Sequence, residues 1–168
     1  MDTTKYIIKP SIKQQFLLLW PMLLRYAFLI GLYVHYMGWN FNTMVFGAPL
    51  LTAFVIDFGP AIALNIEYSI KTRGLIIEID EELKTISYSW HKTKRTFSFE
   101  DIISLEYYSS YGRGSGWYSF ENYRYYKITF KDQTQIPITS LMMNKIQKRV
   151  EPLLAMKAEK YLRLLPFV

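Results

Sequence analysis

Hydrophobic and polar positions follow two different patterns along this chain. From Phe16 to Ile66 the sequence reads FLLLWPMLLRYAFLIGLYVHYMGW, then NFN, then TMVFGAPLLTAFVIDFGPAIALNI. Each apolar run is about two dozen residues long, and at neutral pH only Arg25 in the first and Asp57 in the second are ionised. A helix needs roughly 20 apolar residues to cross the hydrocarbon core of a bilayer. Residues 16–66 are therefore predicted to form a membrane α-helical hairpin of two transmembrane helices. Residues 1–15 are polar, with Lys5, Lys9 and Lys13 around a Tyr6-Ile7-Ile8 cluster. They read as a basic arm at the membrane interface, in which Pro10 ends local structure and Ser11 starts the first helix.

After Ile66 the helical period gives way to alternation. Glu67–Lys71 reads as a strand leaving the second helix. Strands are then predicted at Leu75–Asp80, Lys84–Trp90 and Arg95–Phe99, at the alternating set Ile103, Leu105 and Tyr107, and at Trp117–Phe130 and Thr134–Ile138. Short strands separated by turn residues at this spacing predict an antiparallel sandwich or barrel. The last segment differs. Ser140 can cap a helix on which Met142, Ile146 and Val150 share one face, with Lys145, Lys148 and Arg149 off it. Pro152 kinks that helix or starts a second one, and Leu153, Leu154, Tyr161, Leu162 and Leu165 continue the apolar stripe. Residues 67–168 thus read as an α+β domain of about seven antiparallel strands, with one amphipathic helix closing an open barrel end.

Charge adds direction. The chain carries a net charge of +6. Lysines precede the first span, and Lys71 and Arg73 follow the second. By the positive-inside rule both termini are cytoplasmic, and the link Gly38–Asn42 faces outward with Trp39 and Phe41 at head-group depth. Basic parts beside a bilayer favour anionic lipid head groups. A basic chain can also bind nucleic acid, but the membrane hairpin argues against that, and no nucleic-acid partner is expected. Cysteine is absent, which excludes disulfides and thiolate metal sites. The first run is too long for the apolar region of a cleavable signal peptide, and no A-x-A-like site follows it.

Candidate chemistry is sparse. Arg25 and Asp57 each lie about nine residues from the cytoplasmic end of their spans, so antiparallel packing brings them to one depth. They are predicted to form an intramembrane pair; a transport or proton-relay role is the other use of such residues. His35 falls near the outer interface. The sequence holds no HExxH, GxSxG or phosphate-loop motif. No catalytic, cofactor-binding or metal residue is predicted, no cofactor is expected, and the chain reads as non-enzymatic. Aromatic residues make up 17% of it and crowd between Tyr107 and Tyr126, beside the glycine-rich stretch Gly112–Gly116. Two readings of that crowding stand. Its tyrosines cover a helix from a two-sided hairpin, or the outward half forms an interface with protein or membrane. On the second reading the partner-binding residues are Tyr111, Arg113, Trp117, Tyr118 and Tyr123.

The order of parts resembles the bacterial PH-like (YcxB-like) membrane proteins. The residues that carry the likeness are the strand pair RGLIIEIDEELKTISYSW, the strand FSFEDIISLEYY, and YKITFKDQTQIPITSL with its Ile136-Pro137 before the helix. The likeness covers nearly the whole chain and rests on a pattern of strands. It implies a PH-like split barrel capped by the C-terminal helix and held at the cytoplasmic face of the bacterial inner membrane. The basic pattern by which many eukaryotic PH domains hold phosphoinositides is incomplete, because only Lys71 and Arg73 stand near the first hairpin. The function expected is a binding or scaffold module, or an accessory subunit of a membrane protein complex, with a membrane protein as partner. A small immunity or regulatory protein that blocks a membrane-acting toxin or transporter is the alternative.

Overall fold

The computed structural model describes residues 5–37, 48–110, 118–143 and 145–168. A short strand β1 (Lys5–Ile8) leads into two long helices, α1 (Ile12–Met37) and α2 (Ala48–Thr72). Strands β2 (Leu75–Asp80), β3 (Thr85–Trp90), β4 (Thr93–Ser98) and β5 (Ile102–Ser110) follow. A single helical turn, Ser119–Asn122, precedes β6 (Arg124–Phe130) and β7 (Gln135–Thr139). Helix α3 (Ile146–Leu153) and strand β8 (Glu159–Arg163) complete the described elements. Both long helices are long and apolar enough to cross a membrane.

The strands form two four-stranded sheets, ordered β1-β2-β3-β4 and β7-β6-β5-β8. The expectation is about seven antiparallel strands in a sandwich or split barrel; among the described residues the strands stand as two separate sheets, one with a parallel pair, and three segments change role. Lys5–Ile8, expected in a basic arm, pairs antiparallel with β2, placing Tyr6 opposite Ile79 and Ile8 opposite Ile77. The helical hairpin is therefore inserted between the first two strands of a sheet. Glu67–Lys71, expected as a strand, continues α2, because the buried stripe Asp57, Ala61, Leu64, Tyr68 and Thr72 keeps its three-to-four-residue spacing through that segment. Gly74, at φ +73, takes the left-handed conformation that commonly follows a helix end. Finally, Glu159–Arg163 is a strand that runs parallel to β5, in place of a continued helix.

Helix α3 is also shorter than its stripe suggested. Lys145 sits at φ 54 immediately before it and Ala155 at φ 50 soon after it. A left-handed residue interrupts the helical hydrogen-bond ladder, so the helix cannot begin at Ser140 or run on through Tyr161. The Ser140 N–H is used elsewhere, donating to the Arg124 carbonyl at 2.9 Å.

Alternation along the strands builds the main core. Leu75, Ile77 and Ile79 of β2, Ile86 of β3, Tyr107 of β5, Tyr126, Ile128 and Phe130 of β6, and Ile136 and Ile138 of β7 meet between the sheets. Ile146, Val150 and Leu153 of α3 cover the remaining side. A second core lies on the other face of the second sheet. There Tyr108, Phe120, Tyr123, Tyr125 and Leu141 pack against Ala61, Leu64 and Tyr68 of α2. The second sheet is thus covered on both faces, and α2 forms a third layer of the domain.

Candidate functional site

The most concentrated polar chemistry lies where the hairpin meets the second sheet. The carboxylate of Asp57 is buried on α2, 5% exposed. It collects donors from three residues at two places in the chain. The Ser119 N–H donates to Oδ1 at 2.6 Å and the Ser119 hydroxyl to Oδ2 at 3.1 Å. From α1, the Tyr26 hydroxyl and the Arg25 guanidinium each reach Oδ2 at 3.5 Å. The Tyr26 hydroxyl lies closer to the Ala53 carbonyl, at 2.9 Å. Arg25 keeps 38% of its side chain exposed, against 7% for Asp57. A buried carboxylate is tolerable only when its lone pairs are satisfied, and here the shortest contact is a backbone N–H from the sheet domain. The arrangement binds α1, α2 and the Ser119 turn at one point.

Below this point toward the C-terminal end of α2, polar contacts continue in step with the helix. Asn65 donates to the Tyr123 hydroxyl at 3.0 Å. The Tyr68 hydroxyl donates to the Pro166 carbonyl at 2.6 Å, and the Val168 N–H to Glu67 Oε1 at 3.0 Å. Tyr68 also meets the rings of Tyr123 and Tyr125 edge-on. The Tyr68–Pro166 and Glu67–Val168 bonds join residues 98 and 101 positions apart, and Asn65–Tyr123 joins residues 58 apart. Beside them, Gln14, Leu17, Leu18 and Pro21 of α1 face Asn122, Arg124 and Ser140 across an open cleft of about 210 Å³.

The crowded tyrosines follow from the two cores. Tyr107 and Tyr126 fill the core between the sheets, whereas Tyr108 and Tyr125 stack on each other, 4.7 Å between centroids, on the helix side. Burial pushes the Tyr125 hydroxyl up to about 12, and the Tyr123 hydroxyl likewise to about 12. Across β5 and β6, the two central strands of the second sheet, Lys127 meets Glu106 at 2.7 Å. Burial raises the Glu106 carboxyl, but the hydrogen bonds from Lys127 and Tyr108 outweigh it and hold the group below its ordinary value. The hydrogen bond to Glu106 raises the Lys127 ammonium in turn.

Of the partner-binding residues expected from sequence, Tyr111, Arg113 and Trp117 lie outside the described residues, as do Trp39 and Phe41 of the link. Tyr118 is exposed at the start of the helical turn and stacks on Phe120. Tyr123, expected on the contact surface, is fully buried. Alternation turns its ring toward α2, which covers it, so its partner is intramolecular. Arg25 and Asp57 are brought together, and His35 packs instead against Tyr36 at 5.1 Å. Sequence reasoning missed Tyr26 and Ser119. Tyr26 directly follows Arg25 and could have been weighed as a second donor; no local pattern points to Ser119, which is 62 residues from Asp57. Lys148 and Arg149 of α3 rim a groove of about 370 Å³ with Tyr6, Ile7 and Ile8 of β1. Among the described residues no group of three or more histidine, aspartate or glutamate side chains is placed to hold a metal ion.

A family model for the PH domain matches residues 5–148. The chain belongs to the PH domain family. The match begins at β1 and runs through both helices into α3, so the inserted hairpin lies inside the region that the PH family model covers. No curated protein and no solved structure matches the chain. PH domains are generally binding modules rather than enzymes, which makes recognition of a partner or surface the expected activity of this PH domain.

Proposed function

We propose that this protein is a non-enzymatic, membrane-anchored PH module of the YcxB-like kind. On this reading the hairpin spans the bacterial inner membrane with both termini cytoplasmic. The PH sheets recruit or steady a membrane protein at the cytoplasmic face, as an accessory subunit would. The observation that carries the reading is the insertion of two long apolar helices between β1 and β2 of a PH domain. A binding fold whose first sheet is interrupted by its own anchor is held beside the bilayer, where its partner also resides.

The partner surface is the segment around Arg113 and Trp117, which enters the described structure at exposed Tyr118. Interfaces draw most of their affinity from a few aromatic or arginine anchors, each costing about 2 kcal/mol or more on truncation. Replacing Arg113, Trp117 and Tyr118 with alanine is expected to release partners captured in mild detergent, while the protein stays folded in the membrane. Buried Tyr123 is left intact, since its loss would disturb the fold. Replacing Lys145, Lys148 and Arg149 serves as the control. If those basic changes abolish recruitment and the aromatic changes do nothing, anionic head groups are the true ligand and the protein-partner reading fails.

A further inference from the structure

One apolar surface of the molecule is covered neither by the sandwich nor by the hairpin. It is carried by the end of β8 and the segment that follows it. Leu165 and Val168 pack inward against the α2 core. Leu162, Leu164 and Phe167 point out, 51%, 69% and 41% exposed. An outward row of large apolar side chains is costly in water. The segment is nonetheless firmly held. The Ser110 hydroxyl donates to the Leu164 carbonyl at 3.2 Å, Tyr68 to the Pro166 carbonyl, and the Val168 N–H to Glu67.

Those bonds also fix its level along α2. Glu67 and Tyr68 lie directly after Ile66, where the apolar run of α2 ends, and Lys71 and Arg73 follow. An apolar-to-basic transition of this kind marks the boundary between hydrocarbon and head groups on the cytoplasmic side. Arg163 lies beside the exposed row, over the Tyr108 ring at 4.4 Å, and adds a further cation to that level. Apolar side chains with neighbouring cations at one depth match the interfacial zone of an anionic bilayer.

We propose that Leu162, Leu164 and Phe167 form an interfacial collar that inserts into the cytoplasmic leaflet beside the base of the hairpin. The inference rests on the anchoring reading above and extends it. The PH domain is seated on the bilayer by a second contact, which fixes its tilt and hence the direction its partner surface faces.

The chain has no cysteine, so single-cysteine variants of the full-length protein report one position each. Environment-sensitive fluorophores or nitroxides at Leu164 and Phe167 are read in vesicles of phosphatidylcholine and phosphatidylglycerol. Val55 on the exposed face of α2 gives the lipid reference, and Lys131, 62% exposed on a turn, gives the water reference. The collar labels are expected to shift emission to the blue and to become reachable by lipid-borne quenchers at shallow depth. Water-like signals at Leu164 and Phe167 with a lipid signal at Val55 overturn the collar and leave the anchor standing. A water-like signal at Val55 overturns both. Nitroxide–nitroxide broadening at the collar positions shows that a second copy of the chain covers them, which also overturns the proposal.

Discussion

The second sheet has two faces, and they are built differently. Toward the first sheet it presents Tyr107, Tyr126, Ile128 and Phe130, packed with Ile77, Ile79 and Ile86. Toward α2 it presents tyrosines, and the seam there is tied by directed hydrogen bonds of Asn65 to Tyr123, of Ser119 to Asp57 and of Tyr68 to the Pro166 carbonyl. The first face is sustained mainly by area removed from water, which is not directional. The second needs particular partners, because a buried polar group without one costs about 1–3 kcal/mol. The mainly apolar face tolerates changes that keep volume, and the polar seam tolerates few. The hairpin is therefore locked to the PH domain in one register and moves with it as a unit.

Substitutions can separate the two faces. The largest effect is expected in the sandwich. Phe130→Ala removes a fully buried ring that stacks on Phe97 at 4.1 Å. It should cost about 3–5 kcal/mol, and denaturant unfolding in detergent should show both regions melting together. A larger loss from a conservative seam change than from this one would reverse the comparison.

Next comes Asp57. Asp57→Ala leaves the Ser119 N–H and the Ser119 hydroxyl without their acceptor, removes the Arg25 contact to Asp57, and should cost about 3 kcal/mol. Arg25→Gln gives up a 3.5 Å contact to Asp57 from a side chain more than a third exposed, and about 1 kcal/mol or less is expected from that contact. The double change should cost less than the sum of the two single losses, since the Arg25–Asp57 contact is then lost only once. Equal effects of the two single changes would mean that the ion pair, and not the Ser119 turn, dominates the seam.

Ser119→Ala keeps the backbone donor and removes one hydroxyl, with an expected cost of about 1 kcal/mol. Its signature is faster proteolysis at the helix–sheet junction with the sandwich intact.

The smallest effect is a pH dependence at the ion pair between the central strands β5 and β6. Glu106 is held below its ordinary value in the fold. As pH falls below about 4.3, the unfolded chain takes up a proton that the folded chain resists. The contribution of Glu106 is therefore present at neutral pH and fades as pH drops through its lowered folded value. Glu106→Gln should flatten this part of the stability profile, and an unchanged acid limb would assign it to other carboxylates.

The sandwich was legible from sequence because it is written in local alternation. Ile86 and Tyr88, or Tyr126, Ile128 and Phe130, declare a strand and its inward face within a few residues, although Trp90, next in the first row, is exposed at the strand end. The helical hairpin was legible from length and apolarity alone. The seam was not, because its partners are long-range: Asp57 with Ser119, and Tyr68 with Pro166. β1 was hidden by its short length and lysines, which suit an edge strand as well as a basic arm. β8 was hidden because Tyr161, Leu162 and Leu165 also satisfy a helical spacing, and only the left-handed residue at Ala155 breaks the helix before them. Of the two readings of the crowded tyrosines, the one in which a two-sided hairpin covers a helix describes Tyr108, Tyr123 and Tyr125; that the helix is α2 was not legible, because the contact is long-range.

The central claim is that α2 is a layer of the PH domain, joined to it through Asp57. Hydrogen exchange at the Ser119 amide tests this most directly, since that N–H is committed to Asp57 Oδ1 at 2.6 Å. In the membrane-reconstituted protein the Ser119 amide should exchange as slowly as the ladder amides of β6. In Asp57→Ala it should exchange faster by orders of magnitude, while β6 stays protected. Rapid exchange at Ser119 in the unmodified protein, or protection that survives Asp57→Ala, would contradict the account.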